Sequence, residues 1–563
     1  MRRSLAAVAA TLVMAAGLWA GQGPQSSGRY QGTAAARALF KKGEQAQETG
    51  NNTAALKYFQ QAITVDPDYA DAQENYVFAY EQKATAKEFK AVLSKHETAA
   101  DDAALEKKQD QVEAELQAKY QKLAAAHPRD AVYPWVLGGL NDENNPLRAL
   151  RYYHQALRLD PKFAPAYEHM SYLDESRGQL AASREDLRQA HLSDPENAEY
   201  FFDYAYGYKD ADPAEFQRLA MAVVRQFPQS SAKAEALFWL ADAAPNDAAK
   251  LRYLTLLRDD QAPAAQDMKG GGLQMLFGIE MRRNPAAALK LAQQMVKTDA
   301  SEKWAVDFAG AVVKAEELIR EGQGQNAVAV LATVHVPHWR QQEGQQLALL
   351  KARALAAAGQ NEKAYASVLD MMAARPTPEA RQELNAYGKR LGKTPEQIGA
   401  ELWARRVKTS RPAVGFALTN YRTGKTTSLA DLRGRVFLLN FFYPLCGPCR
   451  GEFPYIRGVL DKYQKQGFEI VAINVVPKQD AFVLSELKGF HLNFIPLRGS
   501  GEWATAKYHV RGEPTSFLIG ADGRIYFGPI DPVESPRAQK TLEMQVETLL
   551  RHAKGRAQLA AGM

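Results

Sequence analysis

Cys446 and Cys449 are the only cysteines among the 563 residues. They stand two residues apart in Asn440-Phe441-Phe442-Tyr443-Pro444-Leu445-Cys446-Gly447-Pro448-Cys449-Arg450, where a strand-like apolar run hands over to a helix. Two thiols so placed suit reversible disulfide chemistry rather than the stapling of a fold. A thiolate, not a thiol, attacks a disulfide, so the first cysteine must lose its proton near neutral pH. A helix that starts at Cys446 would arrange this, because the free amides and dipole of its first turn stabilise negative charge on the sulfur. Cysteines in that position have pKa values of roughly 3.5 to 7.5. Cys446 is then the exposed nucleophile, and Cys449, one turn inside, resolves the mixed disulfide by attacking Cys446.

The elements around this pair are legible from composition. Between Arg406 and Pro412 the pattern changes from Ala-rich helix to β-branched and aromatic alternation, which sets a domain boundary. Phe416–Asn420 and Lys425–Leu429 read as two strands joined at Arg422-Thr423-Gly424. Arg435–Phe442 reads as a buried strand, Gly451–Lys465 as an amphipathic helix kinked by Pro454, and Phe468–Val475 as a second buried strand. A helix over Asp480–Gly489, a strand over Thr515–Ile519, a turn at Ala521-Asp522-Gly523, a strand over Arg524–Phe527 and a closing helix over Arg537–Arg551 complete the set. Strand, helix and strand followed by a hairpin and a last helix describe a thioredoxin-like α/β domain, placed at residues 411–553, with a disordered tail at 554–563.

Specific motifs sharpen that reading. Leu429-Ala430-Asp431-Leu432-Arg433-Gly434 precedes the strand, Asn440-Phe441-Phe442 lies in it, and Cys446-Gly447-Pro448-Cys449-Arg450-Gly451-Glu452-Phe453-Pro454 follows. Glu513-Pro514-Thr515-Ser516-Phe517-Leu518-Ile519 and Asp522-Gly523 come later. With these, the segment resembles the TlpA/ResA-like branch of the thioredoxin superfamily, exported thiol-disulfide oxidoreductases. The resemblance implies that Pro514 is a cis-proline facing the cysteines, and that it leaves the backbone of Glu513 free to pair with an extended substrate. It also assigns substrate positioning to Gly447 and Pro448, and no cofactor or metal. Three positions depart from the pattern. Leu445 replaces an aromatic residue before the first cysteine, and Val476-Pro477 stands where many relatives carry a glutamate. Asn440 stands where cytoplasmic thioredoxins keep a buried aspartate, so a carboxylate able to take the proton from Cys449 is not evident.

The remainder of the chain reads as a helical array. Gly50…Ala55…Phe59…Ala62…Pro67 puts small residues where two helices must touch and a proline where the second must stop. The pattern returns as Ala149…Tyr153…Ala156…Pro161, as Gly178…Ser183…Leu187…Ala190…Pro195 and as Gly359…Ala364…Val368…Pro376. Pro161 and Pro195 are 34 residues apart, the period of a tetratricopeptide hairpin. Residues 35–405 resemble the tetratricopeptide repeat family on that pattern, which implies a solenoid that holds a protein partner. Leu237–Leu257, Gly272–Val296 and Trp304–Val334 fit further hairpins without the signature. Ala84–Ala126, rich in Lys, Glu, Gln and Ala, reads as a solvated helix pair inserted between repeats. Gly270–Gly272 reads as a helix breaker.

Met1-Arg2-Arg3 followed by the uncharged apolar run Ser4–Trp19 reads as a secretory signal over residues 1–20. An uncleaved anchor at the inner membrane is the alternative. Residues 21–34 form a flexible lead-in. Either way the protein is exported, into the periplasm. The net charge of +6 is spread along the chain and indicates no nucleic-acid partner. The whole reads as an exported disulfide reductase that acts on disulfide-bearing exported proteins, recruits a partner through its repeats and draws electrons from a membrane donor. Rival readings are a peroxiredoxin-like antioxidant, suggested by Tyr443-Pro444, a non-enzymatic repeat scaffold, and a Cu(I)-binding module using both thiolates with His491 or His509. The peroxidase pattern needs Thr or Ser and then Cys at places held by Pro448 and Gly451. Gly424-Lys425-Thr426 lacks the glycine that a phosphate loop requires at Thr419, so it is a turn.

Overall fold

The computed structural model describes residues 30–93, 99–337 and 339–561. The signal assigned to residues 1–20 and the lead-in as far as residue 29 lie outside the described residues. Tyr30 is held rather than loose: its ring packs edge-on against Phe163 at 4.5 Å, and its hydroxyl donates to Asp160 at 2.9 Å. The end of the lead-in is therefore tied to the helical array, contrary to the expected flexibility through residue 34.

The first part is all helical. It begins with α1 (Ala34–Glu48), α2 (Asn52–Val65), α3 (Ala70–Val92), α4 (Ala99–Ala126), α5 (Val132–Gly139) and α6 (Pro146–Leu159). It continues with α7 (Ala164–Ser176), α8 (Leu180–Ser193), α9 (Ala198–Tyr206), α10 (Pro213–Gln226), α11 (Ser231–Ala243), α12 (Asp247–Arg258), α13 (Gln266–Arg283) and α14 (Pro285–Thr298). It closes with α15 (Lys303–Arg320), α16 (Gly324–Ala332), α17 (Gln341–Ala357), α18 (Asn361–Ala374), α19 (Pro378–Arg390) and α20 (Pro395–Thr409). Small residues sit where helices cross closely. A Cβ on Gly43 would lie 2.4 Å from the Phe59 ring, and one on Gly138 would lie 2.2 Å from Tyr153. Proline follows the ends of α2, α6 and α8 at Pro67, Pro161 and Pro195, where it cannot continue the helix.

Two helical expectations change. The α3–α4 pair is not a solvated insertion, because Leu105, Val112, Leu116 and Tyr120 of α4 are buried against the array. The Tyr120 hydroxyl there donates to buried Gln73 at 2.8 Å. Gly270–Gly272 do not break a helix but lie inside α13, where Gly272 lets the helix approach Leu257.

The second part is an α/β domain around a sheet ordered β1-β8-β7-β4-β5-β6-β2-β3 among the described residues. Its strands are β1 (Arg411–Pro412), β2 (Ala417–Asn420), β3 (Thr426–Ser428), β4 (Val436–Phe442), β5 (Phe468–Asn474), β6 (Ile495–Arg498), β7 (Thr515–Ile519) and β8 (Arg524–Ile530). The central strands β4, β5 and β6 run parallel, and β7 lies antiparallel to β4. Every residue of β4 is buried, as a run of Val, Phe and Leu requires when both sheet faces are covered. Val436, Leu438 and Phe442 face α21 (Gly447–Tyr463) and α24 (Pro536–Ala561), while Phe437, Leu439 and Phe441 face α23 (Gly501–Tyr508) on the other side. The remaining helix, α22 (Asp480–Gly489), has the predicted limits. Strand β6 and helix α23 were not anticipated. Helix α24 continues to Ala561, through residues expected to be a disordered tail, because Ala, Lys, Arg and Gln there are good helix formers.

Candidate functional site

The cysteine pair lies where β4 ends and α21 begins. Cys446 is the N-cap of α21, and its sulfur accepts the Cys449 amide at 3.2 Å. The two sulfurs are joined in a disulfide. A first-turn amide aimed at Cys446 Sγ is the arrangement that favours a thiolate at that atom. Cys449 is fully buried one turn inside, but Cys446 is only 1% exposed. The expected exposed nucleophile is thus sheltered, while Gly447 and Pro448 beside it are open to solvent.

Cys446 is buried in the core of its own domain, and helices of the first part pack against the residues that flank it. Leu445 and Phe482 are buried in the same apolar cluster as Trp135, Val136, Leu140 and Leu173. Both backbone groups of Leu445 are held. Its amide donates to Gln479 Oε1 at 3.0 Å, and its carbonyl accepts the Tyr172 hydroxyl of α7 at 2.5 Å. Gln479 in turn donates to the Glu143 carbonyl at 3.4 Å. The Arg450 guanidinium donates to Pro444 O at 2.9 Å and to Ser176 Oγ at 3.0 Å, and pairs with Glu175 at 3.2 Å. Behind it Glu486 is fully buried with neither carboxylate oxygen hydrogen-bonded. Burial raises its pKa well above the carboxylate range, with Arg450 opposing that shift. The leucine that stands in place of an aromatic before Cys446 therefore has a packing reason: Leu445 packs into the helical array instead of facing solvent.

A buried carboxylate is present after all. Glu452, one turn beyond Cys449 on α21, is 1% exposed. Its Oε1 accepts Asn440 Nδ2 at 2.7 Å, and its Oε2 accepts the Val533 amide at 3.2 Å. Burial pushes its pKa up to about 7, against the lowering effect of those two hydrogen bonds. Asn440, fully buried in β4, also donates to Ser516 Oγ of β7 at 3.0 Å. The sequence reading, which found no buried carboxylate, missed Glu452 because its hydrogen-bond partners Asn440 and Val533 are both distant in sequence. The Cys-x-x-Cys-x-x-Glu spacing was the available signal.

Pro514 and Glu513 are half-buried at the start of β7, and the Glu513–Pro514 bond is cis. β7 pairs with β4 through Thr515 opposite Phe441, which brings this bond to the cysteine end of the sheet. At the position of the missing glutamate, the Val476 amide donates to Asn474 Oδ1 at 3.1 Å. Among the described residues no group of three or more His, Cys, Asp or Glu is arranged to hold a metal. Nor is any of their helices long and apolar enough to cross a membrane.

Comparison with known proteins places this domain. The AhpC/TSA family profile matches residues 409–527. Thiol-disulfide oxidoreductase ResA from Bacillus subtilis (strain 168) is 36% identical over 102 residues, which cover 18% of this chain and 56% of that protein. The chain thus spans little more than half the length of that relative. ResA from Bacillus thuringiensis (strain Al Hakam) is 32% identical over 120 residues, covering 21% of this chain and 68% of that protein. Among solved structures, a putative thiol:disulfide interchange protein DsbE from Chlorobium tepidum aligns at 29% identity, covering 25% of this chain and 96% of its own, with a TM-score of 0.22. Through its C-terminal domain, the chain belongs to the ResA-like thiol-disulfide oxidoreductases of the thioredoxin superfamily.

Proposed function

We propose that the protein is an exported disulfide reductase. The observation that carries this reading is Cys446 at the N-cap of α21, its sulfur facing a first-turn amide, with Cys449 within bonding reach. In the reduced protein the Cys446 thiolate attacks one sulfur of a substrate disulfide and releases the other as a thiolate. Cys449, its proton passed to Glu452, then attacks Cys446 Sγ, closing the internal disulfide and freeing the second substrate thiol. Two electrons pass from the dithiol to the substrate. A dithiol donor at the membrane must return them. Gly447 and Pro448 border the approach to Cys446, and the Glu513 backbone beside Pro514 pairs with an extended substrate by strand addition.

Export rests on the basic start and the apolar run Ser4–Trp19, and the periplasm follows from it. The helical array, read as tetratricopeptide-like from its 34-residue spacing, recruits the protein that carries the disulfide. The peroxidase reading lacks a Thr or Ser before a single activated cysteine, and a binding scaffold has no use for both thiols. Cys449→Ser is expected to trap a mixed disulfide between Cys446 and a substrate protein in cells. No trapped species in that variant would count against the exchange role.

A further inference from the structure

Arg450 is 8% exposed and is folded back onto the cysteine loop. Its amide donates to the Cys446 carbonyl at 3.2 Å, one turn into α21, and helical side chains lean toward the helix N-terminus. The guanidinium therefore passes back beside the first turn and donates to the carbonyl of Pro444, two residues before Cys446, at 2.9 Å. A helix end contributes roughly half a unit charge. A guanidinium supplies a whole one at the same end and does not lose its proton in a protein. Burial works against that charge here, and Glu175, Tyr172 and Glu486 outweigh burial.

The groups that hold this cation come largely from the other part of the chain. On α7, Ser176 Oγ accepts from it at 3.0 Å, Glu175 pairs with it at 3.2 Å, and the Tyr172 ring lies 5.2 Å from it. On α22, Glu486 stands within its field with neither carboxylate oxygen bonded, and burial raises that acid's pKa well above the carboxylate range. Tyr443 of the loop and Tyr206 of α9 also feel the cation, and burial raises the pKa of both hydroxyls, so neither is charged near neutral pH. Glu175 is thus the carboxylate in contact with the guanidinium. Its side chain is 43% exposed, so it can be replaced without opening the core.

We propose that Arg450 is a positioning residue for the exchange reaction, its charge favouring the Cys446 thiolate, and that Glu175 of the helical array limits this effect by neutralising part of that charge. The proposal rests on the exchange reading above and adds how the array acts on its site. Two substitutions then carry opposite signs. Without the cation the thiolate loses an attraction, and without Glu175 the same cation acts on the sulfur undiminished. A purely structural role would loosen the loop in both variants and move them alike. Glu452 on α21 and Glu513 beside Pro514 are present in every variant and do not account for a difference between them.

The test follows the rate of Cys446 alkylation by iodoacetamide against pH in the reduced full-length protein at low salt, with the modified cysteine identified by mass. Arg450→Gln is expected to raise the midpoint of that profile by about one pH unit. Arg450→Lys, which keeps the charge, is expected to retain most of the wild-type midpoint. Glu175→Gln is expected to lower the midpoint by about half a unit. Should Arg450→Gln fail to fold, Glu175→Gln decides alone. A midpoint that does not rise in Arg450→Gln, or does not fall in Glu175→Gln, would overturn the proposal, as would a Lys variant displaced as far as the Gln variant. Reduction of a small aromatic disulfide by the wild-type protein is measured alongside. Its absence would defeat the exchange reading, whereas the midpoints answer for Arg450 and Glu175 by themselves.

Discussion

Glu452 is the side chain whose environment says most about proton movement at the site. It is buried, it accepts two hydrogen bonds, and its pKa still stands near 7. In the unfolded chain it would release its proton near the ordinary value of 4.5. Between those values the folded form binds more protons than the unfolded form, so this group's contribution to stability falls as pH rises from about 4.5 and levels off above about 7. The full loss is on the order of 3 kcal/mol. Glu452→Gln removes the titration, so the stability of the variant relative to wild type is expected to rise by up to about that amount between pH 5 and pH 8, read by urea unfolding. If Glu452 takes the Cys449 proton as proposed, the same variant is expected to close its disulfide more slowly at pH 8. A constant stability difference across that pH range would contradict the assignment. The cysteines could be singled out in the sequence because their spacing carries the chemistry directly, and Pro514 and Asn440 because the family resemblance points to their positions. Glu452 stood in the same motif, but its burial is a property of the folded neighbourhood.

At the level of elements, α7 packs directly against α22 beside the cysteine loop. Gly178, just beyond α7, meets the end of α22 backbone to backbone. A Cβ on Gly489 would lie 2.1 Å from Gly178 O, and one on Gly178 would lie 2.5 Å from Ser485 O. Neither carbonyl can move aside without shifting a helix. Gly489→Val is therefore expected to part α22 from α7 while leaving the sheet intact, and to speed the reaction of reduced Cys446 with a bulky maleimide. An unchanged rate would mean that the helical cover does not restrict Cys446. The long elements were readable because their periodicity is strong: β4, β5 and α22 fall within a residue or two of the predicted limits. Strand β6 was hidden by Pro496 within only four residues, and α23 by its eight-residue length. The buried face of α4 was masked by its many charged residues, since among the described side chains only Leu105, Val112, Leu116 and Tyr120 mark it.

At the level of the molecule, the helical array and the redox domain are packed together at two places far apart in sequence. Helices α5 to α7 meet the Cys446 loop. At the other end, Gln341 and Arg375 both bond to Asp531 beyond β8. Trp403 of α20 stacks on Tyr526 and His552, and buried Arg406 donates to Met372 O at 2.7 Å and lies over Phe527. No pattern within either segment announced this, because each half shows its own periodicity and the contact is made by single residues such as Leu445 and Met544. The site is thus assembled from both parts of the chain, and its redox character belongs to the intact protein. The measurement that bears most directly on the central claim is the reduction potential of the Cys446–Cys449 pair in the full-length protein, obtained by equilibration in defined thiol buffers. A reductase requires a value near about −270 mV, as in thioredoxin. A value near about −120 mV would make the pair a strong oxidant and contradict the account.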